Sequence, residues 1–555
     1  MSDGALLAGA AVVALCGYVG LGLSWYIALA AVAVAVTGSV LWRHPVAFVA
    51  ALALVAGVRS TQSLAALDAP LPRQVAGMAQ LVSDPTAGDF ATTVELSVDG
   101  RRWQAQVERA DEWVLRPLLT GDHVEVVGRP TPMRGAPEGW RRSRHLAGRL
   151  VVAQIDRGPP ARPWYRLANG VHRVLARGAD SFDDRGRALY LGLVVGDDRD
   201  QSDVEQFRFQ ATGLGHLLAV SGQNVAFLLL LARPLLSRVG LRSRWLLGLA
   251  VLVVFVLVTR AEPSVLRAAT MAAVALLGAT SGREMSGIRV VAIAVIALVL
   301  VDPLLVRSLG FQLSLCATTG LLVAVRPLSE RLRGPRWFAD ALACTIVAQL
   351  ATAPLLFGLN GGVPSIATVA NVAAVPVAGV VMVLGLTVGL VAGVVVQPVA
   401  SVLMWPVRLL VAWISGVAEV GSRVPAPLLG TAALLAVIVA GALLWCRPRF
   451  GVAARRCMAV GSAVLLVVAL WPTLPPVGDV VVSDGVALVN DPCGRTVVLK
   501  GRVDVGGTLS SLQRIGVVRA DAVVGPPGRS TVEVAEQLVA RLMAADEGHH
   551  SCGVP

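Results

Sequence analysis

The amino-acid sequence predicts a polytopic α-helical membrane protein with an inserted OB-like β-barrel and a short α/β domain in its C-terminal tail. Of its 555 residues, 55% are hydrophobic and 15% are charged, whereas a soluble globular protein carries about 25% charged residues. Residues 341–407 contain no Asp, Glu, Lys or Arg, and a membrane helix needs roughly 20 apolar residues. Two polar stretches, residues 61–160 and 473–555, interrupt the apolar pattern.

The apolar segments predict about eleven to thirteen spans or re-entrant segments. Residues 1–60 contain three of them, near residues 5–23, 25–41 and 46–58, without the positive region of a cleaved signal peptide. Between residues 213 and 471, arginines concentrate in alternate loops. Because positively charged loops face the cytoplasm, residues 61–160 are expected outside the cell.

Residues 61–160 have the pattern of a small Greek-key barrel of the OB type. Five short β-rich runs are separated by turns, and Asp99-Gly100 is a two-residue hairpin turn. Basic and aromatic residues on such a barrel are typical of a platform for single-stranded nucleic acid. The candidate DNA-binding residues are Arg101, Arg102, Trp103, Trp140, Arg141, Arg142 and Arg144. The same arginines also fit a solvated surface beside anionic lipid.

Residues 161–188 predict an amphipathic helix that lies in the membrane interface. Between residues 163 and 178, apolar side chains recur at helical spacing and arginines take the other side. The apolar side chains are Trp164, Leu167, Val171, Val174 and Leu175, and the arginines are Arg166, Arg173 and Arg177.

The strongest polar cluster of the core region, residues 189–472, is the segment 212–225, TGLGHLLAVSGQNV, called here the polar motif. Its candidate functional residues are Gly215, His216, Ser221, Gly222 and Asn224. We expect this motif to lie inside an apolar span, where polar groups are costly and usually face protein or a water-filled cavity. The alternative is that Ser221 and Gly222 only permit close helix packing.

An intramembrane serine protease is a further interpretation of Ser221 beside a histidine. Catalysis requires the imidazole within hydrogen-bond reach of the hydroxyl. On a continuous helix, His216 and Ser221 point about 140° apart. We therefore expect no protease activity.

Other polar or small residues occur in or near apolar segments of the core. Those singled out as candidates are Pro263, Arg267, Gly310, Phe311, Gln312, Ser314 and Asn371. For Arg267 the alternative is a side chain that snorkels to the membrane interface. Asp302 is expected to cap the helix that follows it. Residues 366–380, with Asn371 and Pro376, predict a broken or re-entrant helix.

These segments, in this order, resemble the ComEC-type competence proteins, the DNA-internalisation channels of the bacterial cell membrane. The matching stretches are GLVVGDDRD (192–200), GLGHLLAVSGQNV (213–225), EPSVLRAATMA (262–272), DPLLVRSLGFQLSLCATTGLL (302–322) and the region 354–376. The resemblance covers most of residues 1–470. It implies a multi-pass plasma-membrane channel that takes up single-stranded DNA during natural transformation, with several of the candidate core residues lining or shaping the pore.

The resemblance also implies partners. A DNA channel of this family works with an extracytoplasmic DNA receptor and a cytosolic ATPase, and it is embedded in the lipid bilayer. The sequence contains no GxxxxGK phosphate-binding loop, so we expect nucleotide hydrolysis to come from a separate motor. No cofactor is expected.

The tail, residues 473–555, is where the sequence departs from the family. Long members end in a metallo-β-lactamase-like domain, and residues 480–524 are similar to its opening strands. Where the metal-binding HxHxDH stretch is expected, this chain reads GPPGRS at residues 525–530. A metal-activated water needs a His/Asp cluster, so we interpret the tail as a truncated, degenerate domain without a metal site and expect no nuclease activity.

Two other functions remain open from the residues. One is a secondary transporter or exporter of a smaller anionic solute, although the core has few carboxylates of the kind that couple transport to ions. The other is a scaffold that binds DNA or peptidoglycan through its barrel, which leaves the polar motif unexplained.

Overall fold

The computed structural model describes most of the chain up to residue 429 and much of the tail. The described residues are 3–19, 45–87, 91–133, 137–218, 220, 222–280, 285–332, 334–360, 363–424, 428–429, 480–483, 485–491, 494–500, 503–515, 517–526 and 528–544. The predicted segment 25–41 and the apolar segments predicted between residues 430 and 471 lie outside them.

Helices account for most of the described core. They are α1 Asp3–Val19, α2 Pro45–Leu67, α3 Glu112–Leu115, α4 Glu138–Ser143, α5 Pro163–Gly178, α6 Asp184–Val195, α7 Asp203–Ala211, α8 Gly222–Leu236, α9 Leu241–Val258, α10 Pro263–Thr280, α11 Gly287–Val301, α12 Leu309–Ser329, α13 Arg336–Asn360, α14 Ala367–Ala392, α15 Gln397–Ser422, α16 Val505–Arg514 and α17 Arg529–Leu538. Short 3-10 turns occupy Arg109–Asp111, Gly215–Leu217 and Pro303–Arg307.

Five of the described helices are long and apolar enough to cross a membrane, judged by length and composition. The qualifying stretches are Val49–Leu67, Leu309–Ser329, Arg336–Phe357, Ala367–Ala392 and Gln397–Ser422. Five further apolar helices are shorter, and α8 and α10 are among them. Many apolar side chains of these helices are exposed, which fits helices with an apolar surrounding.

The strands form two larger sheets and one short pair. They are β1 Val75–Leu81, β2 Thr86–Ala87, β3 Ala91–Val98, β4 Arg101–Glu108, β5 His123–Thr131, β6 Leu146–Arg157, β7 Val363–Pro364, β8 Leu428–Leu429, β9 Val480–Ser483, β10 Val486–Asp491, β11 Gly494–Leu499, β12 Ala522–Gly525 and β13 Arg541–Ala544. Strands β7 and β8 pair only with each other.

The chain divides into two compact units. Unit 1 comprises residues 1–200, 220–322 and 379–407, and unit 2 comprises residues 201–219, 323–378 and 408–555.

Within unit 1, residues 75–157 form a closed five-strand barrel. The strand order β1–β5–β6–β4–β3 is closed by an additional pairing of β1 with β3, and the short β2 extends β3. Neighbouring strands are antiparallel except β4 and β6, which run parallel. The predicted hairpin turn is confirmed, because Asp99 and Gly100 both have positive φ, 48° and 78°, as a primed two-residue turn requires.

The barrel core is built from alternate residues of each strand. Trp103 is 1% exposed and packs with Val94, Leu96 and Leu150 in one hydrophobic cluster. Gly148 makes room for the indole, since a Cβ at this position would lie 3.3 Å from Cζ3 of Trp103. Strand alternation turns one face inward, which is why this tryptophan is in the core.

A second core of unit 1 joins helices α1, α2, α11 and α12. It includes Val13, Ala56, Val295 and Phe311, each at most 2% exposed. Small side chains such as Ala56 bring the helix backbones close together, which is typical of helix packing in membranes.

The predicted amphipathic helix is present as α5. Trp164 and Leu167 are exposed, 46% and 57%, as expected for the apolar side of an interfacial helix. Another side of the helix is buried within unit 1 and includes Asn169, His172 and Leu175. The prediction that Leu175 shares the exposed apolar side is therefore wrong. Gly178 packs against the backbone of Gly389, where a Cβ would approach the carbonyl oxygen to 2.7 Å.

The prediction of a broken or re-entrant helix at residues 366–380 is wrong. Helix α14 runs without interruption from Ala367 to Ala392, with Pro376 inside it. Proline is tolerated in apolar membrane helices because neighbouring groups satisfy the freed carbonyl.

Within unit 2, the tail folds as an α/β domain. Its sheet has the order β13–β12–β11–β10–β9, with β11, β12 and β13 parallel. Helices α16 and α17 supply Leu509 and Val534 to its core, and Phe207 of α7 belongs to the same cluster. Helix α17 ends at Leu538, where Val539 adopts positive φ, 54°, and residues 541–544 form strand β13.

Candidate functional site

The polar motif is not a continuous helix, so this part of the sequence prediction is wrong. Helix α7 ends at Ala211, a 3-10 turn occupies Gly215–Leu217, and helix α8 begins at Gly222. Gly213 has φ +70°, and a Cβ there would lie 2.4 Å from Cβ of Ala367. Any other residue would therefore be strained and would clash, so this glycine forces the helix to end. Irregular backbone in a membrane protein occurs where it is buried in protein or lines a cavity.

Of the two residues behind the protease interpretation, the structure describes His216 but not Ser221. His216 is exposed on its 3-10 turn, next to the half-buried Gly215. Ser221 lies outside the described residues. Its role therefore stays a prediction.

In unit 1, helices α8 and α10 meet at their N-terminal ends. Gly222 faces Ala268, since a Cβ on this glycine would lie 3.2 Å from Cβ of Ala268. The Ser264 hydroxyl donates a hydrogen bond of 2.6 Å to the carbonyl oxygen of Val220. Asn224 donates from Nδ2 to the carbonyl oxygen of Leu193 at the end of α6, 3.3 Å away. The motif glycine and asparagine thus hold α8 against α10 and α6.

Arg267 lies four residues after Pro263, the first residue of α10, and it is 2% exposed. The alternative interpretation, that its side chain snorkels to the membrane interface, is therefore wrong. Its Nη2 donates a long hydrogen bond of 3.4 Å to the carbonyl oxygen of Ser264. Nε and Nη1 have no partner among the described residues. A buried guanidinium without an anionic partner is energetically costly, and it marks this position as the strongest candidate site in the core.

The candidates in the segment 308–314 take local structural positions. Phe311 is 1% exposed and packs in the core with α1, α2 and α11. Gln312 donates from Nε2 to the carbonyl oxygen of Val306 at 2.8 Å, so it caps the preceding 3-10 turn. Gly310 is the second residue of α12 and has open surroundings, and Ser314 is half-buried. Asp302 accepts from the backbone N–H of Leu304 at 3.0 Å, as the capping prediction requires.

Unit 2 contains a separate polar group on α13 and α14. The Thr368 hydroxyl donates to Oε1 of Gln349 at 3.0 Å. Asn371, 7% exposed, donates from Nδ2 to the carbonyl oxygen of Ala367 at 2.8 Å. Its Oδ1 has no partner in the described part of the chain, and neither has Nε2 of Gln349.

The structure contradicts the proposed base-stacking role of Trp103. Because its ring is buried in the barrel core, it offers no face to a nucleotide. Arg101 lies over this ring, with Cζ 5.4 Å from the centroid, and donates to the carbonyl oxygen of Ala69. Strand alternation carries this information in the sequence, because Trp103, Ala105 and Val107 share one face of β4.

Most of the other candidate DNA-binding arginines are engaged within the chain. Their partners are Asp68 for Arg141, Glu138 for Arg142 and Glu95 for Arg144. Trp140 is half-buried beneath Arg144, whose Cζ lies 5.5 Å from the ring centroid. Arg102 is half-buried. The net positive charge of this surface is therefore smaller than a count of its arginines suggests.

The sequence reasoning missed a more exposed aromatic residue on the barrel. Trp113 of α3 is 65% exposed, and Arg157 lies over its ring with Cζ 5.8 Å from the centroid. An exposed indole beside an arginine is the arrangement on which a base stacks. The only signal in the sequence is one tryptophan in a charged segment, which does not show on which face it lies.

A buried ion network ties the barrel to the helices of unit 1, and it was also missed. Asp84 accepts from the backbone N–H and hydroxyl of Thr120 at 2.6 and 2.7 Å, and from Arg260 Nε at 3.0 Å. Arg260 also donates to Oδ1 of Asn169 on α5, 2.7 Å away. Arg260 has positive φ, 59°, so the loop before α10 is shaped to reach this pair. We call this group the junction network.

Asp197, in the loop after α6, is also held by contacts within unit 1. Arg199 donates from Nε and Nη2 to the two carboxylate oxygens of Asp197, at 2.7 and 2.6 Å. Nδ1 of His172 lies 3.8 Å from Oδ2 of Asp197. Burial by itself would raise the pKa of Asp197, but hydrogen bonds and positive charge from Arg199 and His172 hold it well below its usual range. Asp197 is thus an ionised structural group.

Glu262 directly precedes α10, and its pKa is shifted in the opposite direction to that of Asp197. Burial raises its pKa above the usual range, and the negative charges of Asp198 and Glu95 add to this effect, while Arg144 opposes it.

The described residues contain no group of three or more His, Cys, Asp or Glu side chains that could hold a metal ion.

Together the structure defines a multi-helix protein with an inserted five-strand barrel and a core of apolar helices. This core contains a buried arginine that has no ion-pair partner among the described residues. Residues 193–450 match the family model described as Competence protein. The resemblance to competence proteins is thus confirmed over these residues, which include the polar motif and Arg267.

Two curated relatives were found. The chain is 29% identical over 170 residues to ComE operon protein 3 of Bacillus subtilis (strain 168). The aligned residues cover 30% of this chain and 22% of that relative. It is 32% identical over 146 residues to the uncharacterized protein YcaI of Escherichia coli (strain K12). This alignment covers 24% of this chain and 19% of the relative. The chain therefore spans about a fifth of the length of these relatives. No solved structure matches the chain significantly.

Proposed function

We propose that this protein is a membrane channel for the uptake of single-stranded DNA during natural transformation. The observation that carries the proposal is the match of residues 193–450 to the competence protein family. This region contains the helices from the end of α6 to α15, and with them the polar motif and the buried Arg267. A path for a polyanion through lipid needs a shielded route with polar or basic contacts.

The membrane assignment is part of this proposal. Five long apolar helices and five shorter ones support a multi-pass protein of the bacterial plasma membrane. The exposed Trp164 and Leu167 of α5 support contact of this helix with the membrane interface.

The barrel is proposed to be of the OB type and to receive DNA on the outer side. Its strand order, with one parallel pair β4–β6, supports an OB-type topology. Trp113 and Arg157 take the place of Trp103 as the proposed stacking group, since the indole of Trp113 is accessible.

The partners follow from the family resemblance alone. We propose that an extracytoplasmic receptor delivers the DNA and that a cytosolic ATPase drives it. The α/β tail is proposed to lack nuclease activity, because the segment 525–530, GPPGRS, offers no metal ligand. Metal-dependent digestion of DNA by the purified full chain would contradict this.

The experiment is DNase-resistant uptake of labelled DNA in a competent host that lacks its own channel. Wild-type chain is compared with empty vector and with a His216→Ala, Ser221→Ala double variant at equal membrane abundance. Ser237→Ala, an exposed hydroxyl at the end of α8, is the matched control. We expect uptake with wild type and control, and loss with the double variant. Uptake with all three would retain the channel and reduce the polar motif to packing.

A smaller anion is the second candidate substrate. The unpaired guanidinium of Arg267 supports an anion of any size, because its charge has no counterpart in the described core. Uptake of labelled inorganic phosphate by wild type, without uptake of DNA, would favour this function and contradict the DNA channel.

A further inference from the structure

Among the residues that the structure describes, no acidic side chain balances the charge of Arg267. The residue is 2% exposed, and its guanidinium makes one long hydrogen bond, from Nη2 to the carbonyl oxygen of Ser264 at 3.4 Å. No described carboxylate forms an ion pair with it, and Nε and Nη1 have no partner among the described residues. An arginine does not deprotonate in proteins, so the positive charge stays in place.

The surroundings of this guanidinium add positive potential. Its hydrogen bond to Ser264 places it beside the second residue of α10, at the N-terminal turn of the helix. Gly222, the first residue of α8, packs on Ala268, the neighbour of Arg267. Helix N-termini carry partial positive charge, and the guanidinium lies beside the N-terminal turn of its own helix, α10. This arrangement favours an anion and disfavours a second cation.

The ordinary structural explanation for a buried arginine does not apply. A purely structural arginine is kept in an apolar core when carboxylates and amides satisfy it, because a single unpaired charge destabilises the fold. An apolar residue of similar size would occupy this buried place on α10 without that cost. A role that needs the charge itself therefore accounts better for an arginine at this position.

We propose that Arg267 binds the phosphodiester groups of single-stranded nucleic acid as they pass between α8 and α10. The proposal rests on the proposed DNA-uptake function and assigns its substrate contact. Guanidinium is suited to this because it donates to phosphate oxygens in a charge-assisted geometry. The contact between the two helices is made by the small residues Gly222 and Ala268, so their separation breaks one described polar contact, from Ser264 to Val220.

The test uses the full-length protein in lipid nanodiscs and oligodeoxythymidylate as the probe. Binding is measured over a range of salt concentrations for wild type, Arg267→Lys and Arg267→Met. For single strands, each phosphate contact contributes about −0.7 to the slope of log affinity against log salt. We expect Arg267→Met to flatten the slope by about 0.7 and Arg267→Lys to preserve it. Arg326→Met removes an exposed arginine, whose side chain is 89% exposed, and is expected to leave the slope unchanged.

A second measurement separates binding from folding. Thermal unfolding of Arg267→Met is expected at the wild-type temperature or above it, because an unpaired buried charge is removed. DNase-resistant uptake by this variant is expected to fall at least tenfold while Arg267→Lys retains part of the activity. Lower thermal stability of Arg267→Met with an unchanged salt slope would show a structural residue and overturn the inference.

The remaining outcomes distinguish the inference from the function on which it rests. Wild-type binding that does not depend on salt, or no binding together with no uptake, would overturn both. Salt-dependent binding and uptake that are equal in wild type and Arg267→Met would overturn the inference alone. The thermal stability of wild type and of Arg267→Met is also compared in phospholipid and in glycolipid nanodiscs. A difference that appears only in phospholipid would show that Arg267 binds lipid headgroups, and it would overturn the inference as well.

Discussion

Two buried arginines, one in each unit, have opposite surroundings. Arg208 of unit 2 is 9% exposed. It donates from Nε to Oε1 of Gln537 at 2.7 Å and lies 3.8 and 3.6 Å from the carboxylates of Glu205 and Glu419. Arg267 of unit 1 is more deeply buried and has one long hydrogen bond to a carbonyl oxygen. The same side chain is thus satisfied by carboxylates and an amide in one unit, whereas in the other it has no carboxylate partner among the described residues.

The Arg208 network connects the tail to helices α7 and α15. Gln537 belongs to α17 of the tail and also donates to the hydroxyl of Ser422 at 3.1 Å. Glu205 accepts from the hydroxyl of Ser415 at 3.2 Å. Helix α7, which leads directly into the polar motif, is therefore held by α15 and by the tail domain. A buried network that is fully satisfied rigidifies its surroundings.

The largest expected effect is on stability when Arg208 is replaced. Arg208→Met leaves Glu205, 3% exposed, without its cation, and removal of one partner of a buried ion pair costs about 3–5 kcal/mol. Arg267→Met is expected to cost nothing. Thermal unfolding of both variants in nanodiscs checks this contrast. Equal losses in the two variants would contradict the distinction between a structural and a functional arginine.

A third large buried side chain provides a scale for the two arginines. Trp103→Ala removes an indole from the barrel core, and such truncations cost about 3–5 kcal/mol. Hydrogen exchange of the β3 and β4 amides in the full chain reports this loss as faster exchange. Arg102→Ala, on the neighbouring position of the same strand, is the control and is expected to change stability by less than about 0.5 kcal/mol. Unchanged exchange in Trp103→Ala would contradict the burial of this ring.

A smaller effect is expected for the tail side of the Arg208 network. Gln537→Ala removes one acceptor of a charged donor, and such hydrogen bonds contribute about 1.5–3 kcal/mol. Limited proteolysis within the tail is expected to become faster, since α17 loses its connection to α7 and α15. Glu536→Ala, the neighbouring residue of α17, is the control. Proteolysis at the same rate in both variants would argue against a role of this network in holding the tail.

The smallest effect concerns the pH dependence of the barrel junction. Burial and nearby carboxylates raise the pKa of Glu262, so its ionisation opposes folding. Its favourable contribution is present below the pKa of the unfolded chain, about 4.3, and is lost as the pH rises through the higher folded value. Glu262→Gln is therefore expected to unfold at a higher temperature than wild type at pH 7, with no difference at pH 4. A variant less stable at pH 7 would reverse the assigned sign.

The barrel shows how far local pattern carries a prediction. Its strands and the Asp99-Gly100 turn are encoded by period-two alternation and by turn residues, and the structure confirms them. The same alternation places Trp103 inward, which the assignment of this residue to a DNA-binding hairpin tip overlooked. The face on which a side chain lies is decided by the alternation of residues along the pleated strand, and not by the distance of the residue from a turn.

The polar motif shows where local pattern fails. Its apolar residues predict a continuous span, but Gly213 has positive φ in a place where Ala367 leaves no space for a Cβ. That close approach is made by a residue more than 150 positions away in the sequence, so no local signal contains it. The prediction of a re-entrant helix around Pro376 failed in the opposite sense, because the surrounding helices accommodate a proline that would end an isolated helix.

The sequence by itself determined the class of protein, the order of its parts and the segments that carry polar residues into the core. These properties follow from composition and periodicity, which act over a few residues at a time. Only the tertiary structure decided which buried charge is paired. Arg208 meets Gln537 across 329 positions, whereas no described carboxylate reaches Arg267. Charge pairing depends on distances between remote segments, and only the folded chain sets those distances.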